Sequence, residues 1–106
     1  MKIGVVVYSN DSETVWNAFR FGNFTLATGD EVRVFLVGKG VESESLDTDK
    51  FNVTEQIQTF LGGDGEVFIC GTCLEIHQLE APEMFTVATL KELYDIVTES
   101  DRVITF

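Results

Sequence analysis

A chain of 106 residues with 44% apolar content, nine phenylalanines and a single proline falls within the size of one domain and carries enough apolar material for a core, which excludes an intrinsically disordered segment. Eighteen acidic against seven basic residues give a formal charge of −11, so the average surface repels nucleic acid and anionic membranes, both of which require a basic face. Neither is an expected partner.

The opening M-K-I-G-V-V-V-Y lacks a signal-peptide cleavage pattern and falls well short of the roughly 20 apolar residues of a membrane span. A cytoplasmic protein is therefore expected. Lys2 to Tyr8 reads instead as a first strand, apolar without polar alternation, as a parallel sheet covered on both faces requires. A helix is predicted from about Ser12 to Thr28, with Asn10, Asp11 and Ser12 all suited to cap it. Its apolar residues Val15, Trp16, Ala18, Phe19, Phe21, Phe24 and Leu26 cover most of the circumference, whereas a helix lying on a sheet needs one stripe. Deep burial within the domain would explain this pattern; a subunit interface, where aromatic anchors are enriched, is the favoured explanation.

Val32 to Gly38 forms the second predicted strand. The acidic group Glu42, Glu44, Asp47 and Asp49 that follows reads as a solvated loop rather than a metal site. Asn52 with Glu55 three residues on marks a second helix, which buries Val53, Ile57, Phe60 and Leu61 and stops at Gly62-Gly63. Val67 to Cys70 is the third strand. A third helix is predicted to start with Thr72 as its cap and Glu75 three residues later. A short strand, Phe85 to Ala88, leads to a fourth helix opened by Thr89 and Glu92, with Leu90, Leu93, Ile96 and Val97 as its apolar stripe. Arg102 to Phe106 closes the chain as a strand. This alternation predicts a single α/β domain over residues 1–106, three-layered α/β/α, with a mainly parallel sheet of about five strands.

Most loops carry no recognisable chemistry. S9-N-D-S-E-T14 offers hydroxyls at a helix start, but Asp11 and Glu13 make it a poor phosphate cradle. G38-K-G40 and L61-G-G-D-G65 match no phosphate or dinucleotide fingerprint and read as turns. One histidine and no G-x-S-x-G leave a hydrolytic triad unsupported. No cofactor is indicated.

The exception is F68-I-C-G-T-C-L74, which holds both cysteines of the chain. With Thr72 as cap, Cys73 takes the first helical position and Cys70 the carboxyl end of a strand, the edge where α/β proteins place their sites. A helix N-terminus favours a thiolate, and the glycine after Cys70 allows a sharp turn and open approach. Against this, no Lys or Arg lies between Lys50 and Lys91, while Glu75, Glu80 and Glu83 follow closely and would raise a thiol pKa. His77, about one helical turn after Cys73, is placed to reach that sulfur. Zinc would need a fourth ligand beyond Cys70, Cys73 and His77. A thioredoxin-type site would need a proline more distant than Pro82. From the residues alone, a sulfur nucleophile, a dithiol redox pair and two thiols merely filling the sheet end all stay open.

Three blocks together, S9-N-D-S-E-T-V-W-N-A-F-R20, G29-D-E-V-R-V-F-L-V-G-K-G-V41 and F68-I-C-G-T-C-L74, resemble the DsrE/DsrF-like family of small sulfur-relay proteins, which includes the TusD type of subunit. The resemblance implies an α/β domain assembled as a homotrimer or homohexamer, with sulfur carried as a cysteine persulfide and no metal or organic cofactor. The reactive family cysteine follows the third strand and matches Cys70; the second cysteine of C-G-T-C-L matches Cys73. Relatives often carry a basic residue and a glycine where His77 and Gln78 stand. On this reading a protein donor passes sulfane sulfur to Cys70, which hands it to an acceptor thiol on another protein. Cys73 would resolve the persulfide or assist by hydrogen bonding, and His77 would stabilise the thiolate or shuttle a proton. The alternatives are a non-catalytic oligomeric module with buried cysteines and a dithiol redox switch.

Overall fold

The computed structural model describes all residues, 1–106. Five strands, β1 (Lys2–Val7), β2 (Glu31–Leu36), β3 (Glu66–Cys70), β4 (Thr86–Ala88) and β5 (Arg102–Thr105), form one sheet in the order β4-β3-β2-β1-β5. Every pairing is parallel, so the expected mainly parallel sheet is wholly so. Four α-helices alternate with the strands: α1 (Ser12–Ala27), α2 (Val53–Gly62), α3 (Gly71–Ile76) and α4 (Leu90–Glu99). A 3-10 helix, Gly38–Ser45, follows β2.

The connections through α1, α2 and α3 step the chain from β1 to β4, whereas α4 carries it back across the sheet to β5. Parallel crossovers are right-handed, so the return helix lies on the opposite face from the others and makes the third layer. A Cβ at Gly4 of β1 would sit 2.7 Å from Ile96 of α4. The absent side chain is therefore what lets α4 lie against the strand. Val5, Val7, Val34, Phe35, Leu36 and Ile69 are fully buried, as the unalternating apolar strands require. Phe19 of α1 meets Phe60 of α2 edge to face at 5.7 Å, which joins the two helices above the sheet.

Three caps are legible in the sequence. Asp11 accepts the Thr14 N–H at 3.0 Å, Asn52 accepts the Glu55 N–H at 3.0 Å, and Thr89 with Glu92 completes a capping box. Each satisfies helix amides that would otherwise lack partners.

Two apolar patterns are only partly covered within the chain. The aromatic excess of α1 is largely absorbed by its own chain: Phe19 is buried, Trp16 packs on Phe51 at 5.5 Å, and Phe21 faces Phe106 at 6.3 Å. Phe24 alone among these aromatics stays 67% exposed. In α4 only Ile96 of the predicted stripe is fully buried; Leu93 is partly covered, and Leu90 and Val97 are exposed with Tyr94. The apolar arc of α4 is wider than the strip that one sheet face covers.

The acidic segment after β2 is also more than a solvated loop. Gly40 lies against the end of β1, where an added Cβ would fall 2.1 Å from the Val7 carbonyl oxygen. The Val37 N–H donates to that same oxygen at 3.0 Å. The Ser43 hydroxyl donates to the Gly40 carbonyl, Ser12 Oγ donates to the Leu46 carbonyl at 2.7 Å, and Asp47 accepts the Thr54 N–H at 2.8 Å. These bonds offset the ordering entropy of a segment poor in apolar anchors. No helix is long and apolar enough to cross a membrane.

Gly40 is the tightest of these contacts. Gly40→Ala is expected to cost about 3 kcal/mol, since backbone cannot yield as a flexible side chain does. Urea unfolding checks this; a midpoint equal to the parent would contradict the packing described.

Candidate functional site: a dithiol cleft at the carboxyl edge

Strand β3 ends at Cys70 and α3 begins at the next residue. Cys70 is itself the N-cap, in extended backbone conformation, and its Sγ accepts the Cys73 N–H at 3.4 Å. The expected cap at Thr72 is thus displaced by two residues. The chain turns straight from strand into helix at Gly71, so the first side chain able to receive a free helix amide is the thiol. Cys73 then falls at the third helical position rather than the first, one turn from Cys70. The sulfur of Cys70 takes the place usually filled by a Ser, Thr, Asp or Asn oxygen.

Cys73 has a donor of its own: the Gly38 N–H reaches its Sγ at 3.2 Å. Gly38 opens the 3-10 helix with φ +57, a conformation glycine adopts without steric cost. The Cys73 thiol is nevertheless pushed above its ordinary pKa, first by burial and then by the neighbouring Cys70 sulfur, with the Gly38 N–H pulling the other way. Around neutral pH Cys73 therefore keeps its proton. Both cysteines are free thiols; Cys70 is 5% exposed and Cys73 half-buried.

The two sulfurs share a cleft of about 470 Å³ lined by Val37, Cys70, Thr72, Cys73, Thr89, Leu90 and Lys91. The last three come from the start of α4. They arrive because β4 pairs with β3, bringing Ala88 opposite Cys70. The lining is mixed, with hydroxyls, two apolar side chains and one cation. Lys91 is 76% exposed and its ammonium donates to Asp95 at 2.8 Å. A search for cations along the chain misses it, since only strand pairing makes it a neighbour of the thiols. The capping box at Thr89 directly after a strand was the available signal.

His77 is placed otherwise than its spacing suggests. Its backbone N–H donates to the Cys73 carbonyl at 2.9 Å, but the ring Nδ1 lies 2.7 Å from Glu42 Oε2 in the 3-10 helix. It does not line the cleft. Asn10 donates to the other Glu42 oxygen at 3.2 Å. Asn10 first, and His77 second, hold the Glu42 carboxyl below the usual carboxylate range. The structure thus brings Cys70 and Cys73 together and directs His77 to a carboxylate. Gly38 and Glu42, which sequence reasoning passed over as turn and solvated loop, are the parts that connect them.

A model described as the DsrE/DsrF-like family matches residues 1–106. An uncharacterized protein of Methanopyrus kandleri is 31% identical over 100 residues, covering 89% of this chain and 83% of its own. An uncharacterized protein of Methanocaldococcus jannaschii is 29% identical over 100 residues, covering 89% and 88%. Among solved structures, the ychN protein from E. coli superposes with a TM-score of 0.84 at 21% identity over 100% of both chains. The protein of unknown function MTH1491 from Methanobacterium thermoautotrophicum gives 0.78 at 12% identity, covering 99% of this chain and 98% of its own.

The coupling of the thiols has a measurable sign. In Cys70→Ser, the serine still caps α3 while the sulfur that raises the Cys73 pKa is gone. Cys73 should then alkylate with iodoacetamide faster than in wild type at neutral pH, by about threefold or more. Peptide-resolved mass spectrometry against pH checks this; an unchanged or slower rate would show that Cys70 does not govern Cys73.

Proposed function

Because the chain belongs to the DsrE/DsrF-like family, a family of sulfur-relay type, we propose that it carries sulfane sulfur as a persulfide on Cys70. The observation that carries this reading is the Cys73 N–H on Cys70 Sγ at the floor of a cleft. That amide is a fixed donor aimed at the sulfur that would attack sulfane sulfur as its thiolate. The cleft supplies room for one further sulfur atom and an entering thiol.

The exchange is balanced and involves no net oxidation. The Cys70 thiolate attacks the outer sulfur of a donor persulfide; the donor S–S bond breaks, a new S–S bond forms on Cys70, and the donor leaves as thiolate. An acceptor thiolate then attacks the outer sulfur on Cys70 and regenerates the Cys70 thiolate. Donor and acceptor are proteins presenting cysteines, and the working unit is a cytoplasmic homotrimer or homohexamer.

Cys73 is the second thiol of the site. If it attacks the inner sulfur, a Cys70–Cys73 disulfide forms and sulfide leaves, and an external dithiol must reduce the disulfide before another cycle. Its raised pKa keeps that discharge slow at neutral pH, so the persulfide survives to meet an acceptor. A dithiol redox switch is the second reading. It is favoured by the one-turn spacing of the two sulfurs within one cleft, and it predicts a reversible disulfide without any sulfur loading.

Exposure of the reduced protein to a sulfane-sulfur donor should add about 32 Da by intact mass, one sulfur atom per chain. Cys70→Ser should abolish the adduct. Its absence from wild type, or its persistence in Cys70→Ser, would remove the assignment.

A further inference from the structure

The 3-10 helix touches α3 at two points separated by the same number of residues on each side. Gly38 bonds Cys73 Sγ, and four residues on Glu42 bonds His77, itself four residues after Cys73. Four residues span about 8 Å along a 3-10 helix and about 6 Å along an α-helix. Two contacts so spaced fix both the separation and the tilt of one helix on the other. A single contact would leave the first free to swing.

The rest of the segment is anchored to β1 and not to α3. Val37 is tied to β1 through the Val7 carbonyl and Gly40 to the Val37 carbonyl, which sets where the segment starts. The Gly38 N–H on Cys73 Sγ and the Glu42–His77 pair are the hydrogen bonds that join the segment to α3 and its cap. Asn10 braces the far side of Glu42, so that carboxylate is held from the β1–α1 connection as well as from α3. The His77 ring is tied to a braced anchor and not to a freely rotating side chain.

We propose that Glu42 and His77 form a positioning latch, holding the 3-10 helix so that the Gly38 N–H stays on Cys73 Sγ and thereby setting the reactivity of the second thiol. His77 acts through Glu42 and the backbone of the 3-10 helix, without touching sulfur. The inference concerns Cys73 chemistry, and rests on the sulfur-transfer reading only for the use that chemistry is put to. Loss of the latch lets the amide swing away, leaving burial unopposed by a donor, so Cys73 holds its proton more tightly and reacts more slowly near neutral pH.

The test uses the full chain with Cys70→Ser, so that Cys73 is the only thiol. Rates of iodoacetamide alkylation across pH and hydrogen exchange at the Gly38 amide are measured for the parent, Glu42→Ala, His77→Ala and the double variant. Each single variant is expected to slow alkylation near neutral pH by about three- to tenfold, one pKa unit being tenfold in thiolate fraction, and to leave the high-pH plateau unchanged. The double variant should match the singles, as members of one coupled pair do, and Gly38 exchange should quicken in all three. His77→Gln, whose amide can donate to Glu42, should restore most of the parent rate. An unshifted pH profile in His77→Ala, a protected Gly38 amide, or additive effects in the double variant would overturn the latch. If the alanine variants fail to fold, Glu42→Gln and His77→Phe, whose ring cannot donate to Glu42, carry the test: slowed alkylation with faster Gly38 exchange supports the latch, and parent values for both rates overturn it. Because no step needs a persulfide, failure of sulfur loading and failure of the latch are separate results.

Discussion

A backbone amide donated to a cysteine sulfur at the end of β3 is the interaction on which the site depends. Helix α3 is only six residues long, too short to hold itself together by propagation once nucleated. The amide of its third residue finds its acceptor in the side chain that the strand leaves at the carboxyl edge, and that acceptor is Cys70 Sγ. Capping and chemistry are therefore one contact. What starts the helix also places a fixed donor on the sulfur, without any lysine or arginine bonded to it.

Such an arrangement suits a strongly acidic protein. With eleven more acidic than basic residues, the average field opposes a thiolate, and surface charges are too screened and too mobile to reverse that at one atom. Fixed dipoles at hydrogen-bond distance act at that one atom. Cys70 has the Cys73 N–H, and Cys73 has the Gly38 N–H. Around Cys73, burial and the adjacent sulfur outweigh Gly38. Near neutral pH Cys73 therefore holds its proton.

Much of this was legible in the chain. Unalternating apolar strands and the cap signatures at Asn52 and Thr89 led to the expectation of a three-layer α/β/α domain, because burial on both faces and capping are local physics that residue types express directly. The placement of Cys70 on the sheet edge followed from the same reasoning. The cap at Thr72 was misplaced because oxygen is the usual acceptor and sulfur is easily passed over. Lys91 and Leu90 were missed as neighbours of the thiols because their approach depends on β3 pairing with β4, a long-range event. The His77 ring was expected on Cys73 by helical spacing, yet its partner, Glu42, comes from a segment that looks like a polar loop until its hydrogen bonds to β1, α1 and α3 are seen. The aromatic surplus of α1 was similarly ambiguous, since Phe51 and Phe106, which absorb Trp16 and Phe21, lie far away in sequence.

The central claim is that sulfur resides on the thiol that caps α3. Both cysteines lie between Lys50 and Lys91 and share one tryptic peptide, so the direct measurement is fragment-resolved mass spectrometry of wild-type protein, loaded with sulfane sulfur and alkylated with iodoacetamide. The account predicts the additional sulfur on Cys70, with Cys73 carrying the alkyl group alone. Additional sulfur found on Cys73, with Cys70 unmodified by it, would contradict the account.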